Sequence, residues 1–170
     1  MTTDTPMVVD QLNLFIRQAI SSWESQNKRI NSLLETLTET EWHGATAPGR
    51  NSGKYLLGHL IAVNDGMLTL LGVGDRMFAE LDEPYVKKAE DAAALNSSIE
   101  ELKSYWQRLN TELSRHFNAM TADDWFTGHT AVSPEDFAKE PHRNKMNILL
   151  SRTIHQGYHL GQLVYLLKKK

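Results

Sequence analysis

The stretch TIHQGYHLGQLVYL, residues 153–166, decides how this chain reads. With Leu149 before it and Leu167 after it, Leu160 and Val164 recur at helical spacing, so the segment is an amphipathic helix. Two histidines, His155 and His159, sit four apart within it. At about 100° per residue they lie roughly 40° from each other, one turn apart, and reach toward one point. Helices present paired imidazoles to a divalent metal at this spacing. A metalloprotease helix carries glutamate directly after the first histidine; Gln156 stands there instead, which removes the protease reading. Gln162 projects within about 20° of His155 and is a candidate to orient a ligand histidine or a bound water. Tyr158, about 60° from His155, is a candidate to line the site, although a buried packing role is the expectation for it.

Outward from this segment the dominant period is helical. Val9, Leu12, Ile16, Ala19, Trp23, Ile30, Leu33 and Leu37 form one stripe, and Thr38-x-x-Glu41 can cap a short turn after it. GATAPGRNSG (44–53) is a loop by its glycines and proline. A second helix carries Tyr55, Leu56, His59, Ala62, Val63, Gly66 and Leu70 on one face. Residues 72–91 show no long period and read as a connection. Ser97-x-x-Glu100 reads as the capping box of a third helix bearing Leu102, Trp106, Leu109, Leu113 and His116. TADDWF (121–126) looks like one capped turn, and 127–143 a loop.

Four long helices are therefore expected near 7–37, 51–72, 96–119 and 144–167. Four amphipathic helices of this length predict an all-α four-helix bundle, one domain over residues 1–170. The long link between the second and third helices can cross the roughly 30 Å of a 20-residue helix. Those helices are expected to be parallel, giving an up-down-down-up order.

Composition narrows the function. The net charge of −3 argues against a nucleic-acid partner. Lys168–Lys170 reads as a solvated tail that complements a helix dipole. The chain has no cysteine, so any metal must be held by His, Asp, Glu or water. The N-terminal residues lack the basic-then-apolar pattern of a signal peptide, and no apolar run is long enough to span a membrane. A cytoplasmic protein without membrane partners is the expectation.

The third histidine turns a pair into a site. If the second and last helices run antiparallel, His59 and His159 each lie about 12 Å in from the same end. His59, His155 and His159 then fall at one level of the bundle, where a divalent metal can use all three. His43 reads as surface and His116 as a core or helix-end residue, while His129 and His142 flank a loop. Asp65, the acid nearest to His59 along its helix, points about 120° away from it.

The segments GRNSGKYLLGHLIAVNDGML and IHQGYHLGQL, preceded by LTETEWHGATAPGR, resemble the signature segments of the DinB-like superfamily. The resemblance covers most of the chain in order and spacing. It implies an up-down-down-up bundle, often dimeric, with a metal held by one histidine of the second helix and two of the last. Those carry over to His59, His155 and His159. It also implies zinc or nickel, with water completing the shell. Some relatives are transferases or isomerases that depend on a low-molecular-weight thiol. The family name reflects DNA-damage induction and implies no DNA binding.

Three functions fit. The favoured one is a metal-dependent enzyme acting on a small molecule, a hydrolase or a low-molecular-weight-thiol-dependent transferase, because three ligands leave a position open. The others are a metal-binding bundle without catalysis and a metal-free dimeric interaction module. A homodimer through helix surfaces is expected from the second apolar stripe of the last helix, Leu149, Leu160, Val164 and Leu167.

Overall fold

The computed structural model describes residues 5–167, with side chains from residue 11 onward. The side chain of Val9 in the first stripe and the whole Lys168–Lys170 tail lie outside what is described. The described residues are helical apart from turns, loops and two isolated bridges, Ala45–Ser52 and Gly128–Asn144. Four long helices dominate: α1 (Thr5–Thr36), α3 (Gly53–Leu70), α4 (Ile99–Ala119) and α7 (Lys145–Leu163). Three short ones punctuate the connections: α2 (Glu39–His43), α5 (Ala122–Trp125) and α6 (Pro134–Lys139). No described helix is long and apolar enough to cross a membrane.

Capping chemistry sets most of the boundaries. Thr38 and Glu41 form the expected capping box at α2, and Thr121 with Asp124 forms one at α5. At α4 the box is Ser98 with Glu101, one residue later than the sequence suggested. Both Ser-x-x-Glu pairs are present in SSIEE, and the register that buries Ile99 and Leu102 wins. Within the loop expected over 127–143, Ser133 caps α6 and Pro134 sits at its first position. The last helix gives way to a 3₁₀ turn at Val164–Leu166.

α1 meets α4 through Trp23, edge-on to Phe117 at 6.0 Å, and through Asn31, whose Oδ1 accepts from Trp106 Nε1 at 2.8 Å. At the start of α3, Lys54 Nζ donates to the Leu95 carbonyl just before α4 (2.8 Å). At the far ends of the same two helices, Gly72 and Val73, just past α3, share a depression with His116 and Ala119 of α4 and with Met120. α3 also meets α7: Leu166, just past α7, lies against Gly53, and further along Asn64 bonds Gln156.

The connection after α3 differs most from expectation. It forms a 3₁₀ turn at Ala79–Leu81 and a π-helical turn at Glu83–Lys87, and it buries Phe78, Leu81 and Tyr85. α3 is consequently enclosed on more than one face, with Leu57, Leu60, Ile61, Met67 and Leu68 buried as well. Asp65 pins this cover. Its carboxylate, fully buried, accepts from Arg76 Nε (3.1 Å) and from the amides of Met77 (2.8 Å) and Phe78 (3.1 Å). Arg76 reaches on to Asp82 and to the Ala62 carbonyl. Gly58 has no room for a side chain: a Cβ there would stand 2.7 Å from Tyr85 Cγ and closer to two other ring carbons.

The expected second stripe of the last helix divides. Leu149 and Leu160 are core, whereas Val164 and Leu167 are exposed. The exposed apolar residues of α7 and its extension also include Ile154, Tyr158 and Tyr165.

Candidate metal centre

α7 starts at Asn144, whose side chain accepts from Asn147 N (2.9 Å) and fixes the first turn. About three and four turns on, His155 and His159 project toward α3. α3 starts at Ser52, which caps Tyr55 N (3.1 Å) and is itself held by Glu90, whose Oε2 accepts from Ser52 N at 2.8 Å. His59 lies two turns into that helix.

The three imidazoles converge. His155 Nε2 lies 3.3 Å from His59 Nε2 and 3.1 Å from His159 Nε2. One nitrogen from each ring falls within 4.8 Å of the others. Among the described residues this is the one such group of three or more histidine, aspartate or glutamate ligands.

The outer nitrogens show what the inner ones must be. His59 Nδ1 meets the Tyr85 carbonyl at 2.8 Å, and a carbonyl only accepts, so Nδ1 carries the proton. His159 Nδ1 meets Gln162 Oε1 at 2.7 Å and is likewise the donor. In the neutral rings both Nε2 atoms are then bare lone pairs. Both point at His155 Nε2, which can donate a single proton to one of them. The arrangement leaves a lone pair facing nitrogen without a donor, and a cation at the centre resolves it. Geometry agrees: at about 2.0–2.1 Å from a zinc ion, two nitrogens of a tetrahedral shell stand about 3.3–3.4 Å apart. The residues present therefore fit a divalent metal.

Electrostatics favours the neutral form of His155 and His159. His155 is pushed down to about 4, first by burial and then by the neighbouring His159, His59 and Arg152 charges. His159 is lowered by burial, against the opposing hydrogen bond to Gln162. A neutral imidazole keeps one bare nitrogen that a metal can take, which an imidazolium does not.

Gln162, aligned by helix angle with His155, bonds His159 instead, its Oε1 accepting from the outer nitrogen Nδ1. Tyr158 does not pack in the core. It is 64% exposed, and its ring meets His159 edge-on at 5.0 Å, so it forms part of the rim. Its place on the outer side of α7 explains the difference, because the core side belongs to Leu149, Gln156, Leu160 and Leu163. Asp65, committed to Arg76, supplies no ligand. His43 is exposed, His116 pairs with Glu112, and His129 and His142 stay outside the cluster.

Three contributors escaped the sequence reading. The Tyr85 carbonyl comes from the 72–91 connection, which shows no period in the sequence. Tyr55 stacks beside His59, 6.3 Å between centroids and 11° between planes. A buried amide chain crosses the core beside the site: Asn64 Nδ2 donates to Gln156 Oε1 (2.9 Å), and Gln156 Nε2 donates to Asn27 Oδ1 (2.6 Å). It had a signal, since Asn27 falls on the stripe between Trp23 and Ile30.

The sequence profile of the DinB superfamily matches residues 22–163, a span that holds all three histidines and runs to the end of α7. The chain belongs to the DinB superfamily. No curated protein matches it. DinB membership and the three close histidines agree on a metal-binding helical protein.

Proposed function

We propose that this DinB protein is a metal-dependent enzyme whose divalent ion, zinc or nickel, is held by His59, His155 and His159. The observation that carries the proposal is the meeting of three Nε2 atoms, two of them bare because Tyr85 and Gln162 take the outer protons. Closed structural zinc sites use four protein ligands, and this cluster offers three, which leaves a position for a small molecule. Bound there, the ion supplies Lewis acidity and makes a water or a thiol ionise near neutral pH. The chain's own part is to present unprotonated donors, hold His59 and His159 from behind, and keep Tyr158 at the rim. The reaction is hydrolysis or transfer to or from a low-molecular-weight thiol.

The proposal includes a single domain over residues 1–170, with α1, α3, α4 and α7 as an up-down-down-up bundle. The contacts support it. Lys54 meets Leu95 at one end of α3 and α4 while Val73 and His116 share the other, as parallel helices would. Gly53 meets Leu166 and Asn64 meets Gln156, as antiparallel helices would. A homodimer through α7 belongs to the same proposal; exposed Ile154, Tyr158 and Tyr165 support it in place of the stripe first suspected.

Turnover tests the function. Metal-free, zinc-loaded and nickel-loaded protein should be screened against activated esters and, separately, against a small thiol with an aromatic electrophile. Turnover that requires both the metal and His155 supports the enzyme. Protein that holds the metal and turns over nothing in either screen moves the account to a non-catalytic metal site.

A further inference from the structure

Arg152 lies on α7, one turn before His155. It is about 60° round the helix from His155 and about 20° from His159, so it stands on the side that carries the histidines. Eight arginines occur in the chain, and their surroundings sort them. Arg17, Arg29, Arg50 and Arg108 are exposed, and exposed Arg115 pairs with Glu112. Of the three half-buried ones, Arg76 holds Asp65 and Asp82, and Arg143 holds Glu140. Arg152 holds no partner among the described residues. Its Nε is sealed from water without a hydrogen-bond partner, and no acceptor among the described residues meets its Nη atoms. Its charge is nonetheless felt at His155, where it is among the groups that disfavour protonation. Half-burying a guanidinium without a carboxylate costs stability, and a bound anion would offset that cost.

We propose that Arg152 is the anion-binding residue of the three-histidine site, and that the substrate is a small molecule bearing an oxyanion group, carboxylate or phosphate. This deepens the metal-site reading and rests on it. The planar fork of the Nη atoms grips two oxygens of such a group. The rest of the molecule then reaches the histidines one turn along α7, so Arg152 selects and orients the substrate. Net charge makes the residue more telling. The chain is at −3, so an uncommitted cation beside the cluster is not the overflow of a basic surface.

Cobalt-loaded protein provides the test, with the visible spectrum of the ion as the readout. Succinate and azide are titrated separately at constant ionic strength. Azide can occupy the metal without reaching Arg152, whereas succinate can engage both. Arg152→Gln should weaken succinate by roughly 10–100-fold, the loss of a charge-assisted hydrogen-bond pair, and leave azide unchanged. Arg152→Lys keeps the charge and the stem and should fall between. Unchanged succinate affinity in Arg152→Gln, or an equal loss for azide, overturns the proposal. If the parent gives no cobalt spectrum, the metal reading has failed instead. The anion site is then read from succinate-dependent thermal protection at matched ionic strength, which must be present in the parent and lost in Arg152→Gln. Far-UV circular dichroism of both variants separates lost binding from lost folding, and Arg152→Lys carries the test if Arg152→Gln unfolds.

Discussion

Gly58 and Gly66 lie on the same helix, and alanine at each should move stability in opposite directions. Both are inside α3, where replacing glycine gains about 0.5–1 kcal/mol of helix propensity. At Gly66 nothing lies within 4 Å of the new Cβ, so that gain stands alone. At Gly58 the Cβ collides with the Tyr85 ring, which is wholly buried and cannot swing into solvent. Overpacking of this kind costs about 1–3 kcal/mol, leaving a net loss of about 0.5–2 kcal/mol after the propensity gain. For a chain of this size each kcal/mol moves the melting temperature by about 2–4 °C. Gly66→Ala should therefore melt roughly 1–4 °C higher and Gly58→Ala roughly 1–8 °C lower. Thermal melts in chelator, followed by circular dichroism, read this without any contribution from metal. A second readout follows from the same contact, because the Tyr85 carbonyl holds His59 Nδ1. Gly58→Ala should also weaken cobalt binding, and Gly66→Ala should not. If Gly58→Ala is as stable as the parent, or if both variants shift in the same direction, the view of the 71–98 segment as a packed cover over α3 is wrong.

Gln156→Leu should cost about 1–3 kcal/mol in urea unfolding, since it strands Asn27 Oδ1 and Asn64 Nδ2 in the core while adding apolar burial. Asp65→Ala should cost more, about 3–5 kcal/mol, because Arg76 and two amides lose a fully buried carboxylate. The acid limb of stability has a defined sign at Asp82. Its hydrogen bond to Arg76 holds the carboxyl below its ordinary 3.8, so it stabilises the fold above that value. That contribution fades as pH falls through the lowered one. Melting temperatures measured from pH 5 downward should fall less steeply in Asp82→Asn than in the parent.

The helices were legible because their signals are local. Capping boxes, apolar stripes and the loop at 44–53 need no partner to be read, and the slip at Ser97 is one residue between two equivalent pairs. His155 and His159 were legible as a pair for the same reason. His59 required an assumption about which helices neighbour each other, and the contacts at Gly53–Leu166 and Asn64–Gln156 bear on that assumption. The role of residues 72–91 was not legible, since Phe78, Leu81 and Tyr85 follow no helical or strand period. They are buried by a chain path fixed by distant partners, Asp65 on Arg76 and the 77–78 amides, His59 on the Tyr85 carbonyl and Ser52 on Glu90. Tyr158 was misplaced because angle along a helix says nothing about where the neighbouring helices end. Arg152 carries no local mark at all; its meaning lies in the carboxylate that is not beside it.

Whether His59, His155 and His159 hold one ion is decided by metal binding to protein made without a histidine tag. Metal analysis and X-ray absorption should find one divalent ion per chain, bound by three imidazole nitrogens, at about 2.0–2.1 Å if it is zinc. Alanine at His59, His155 or His159 should each abolish tight binding while the helical spectrum stays, because the core helices carry their own apolar faces. A chain that takes up no metal, or a His59→Ala variant that binds as well as the parent, would contradict the account.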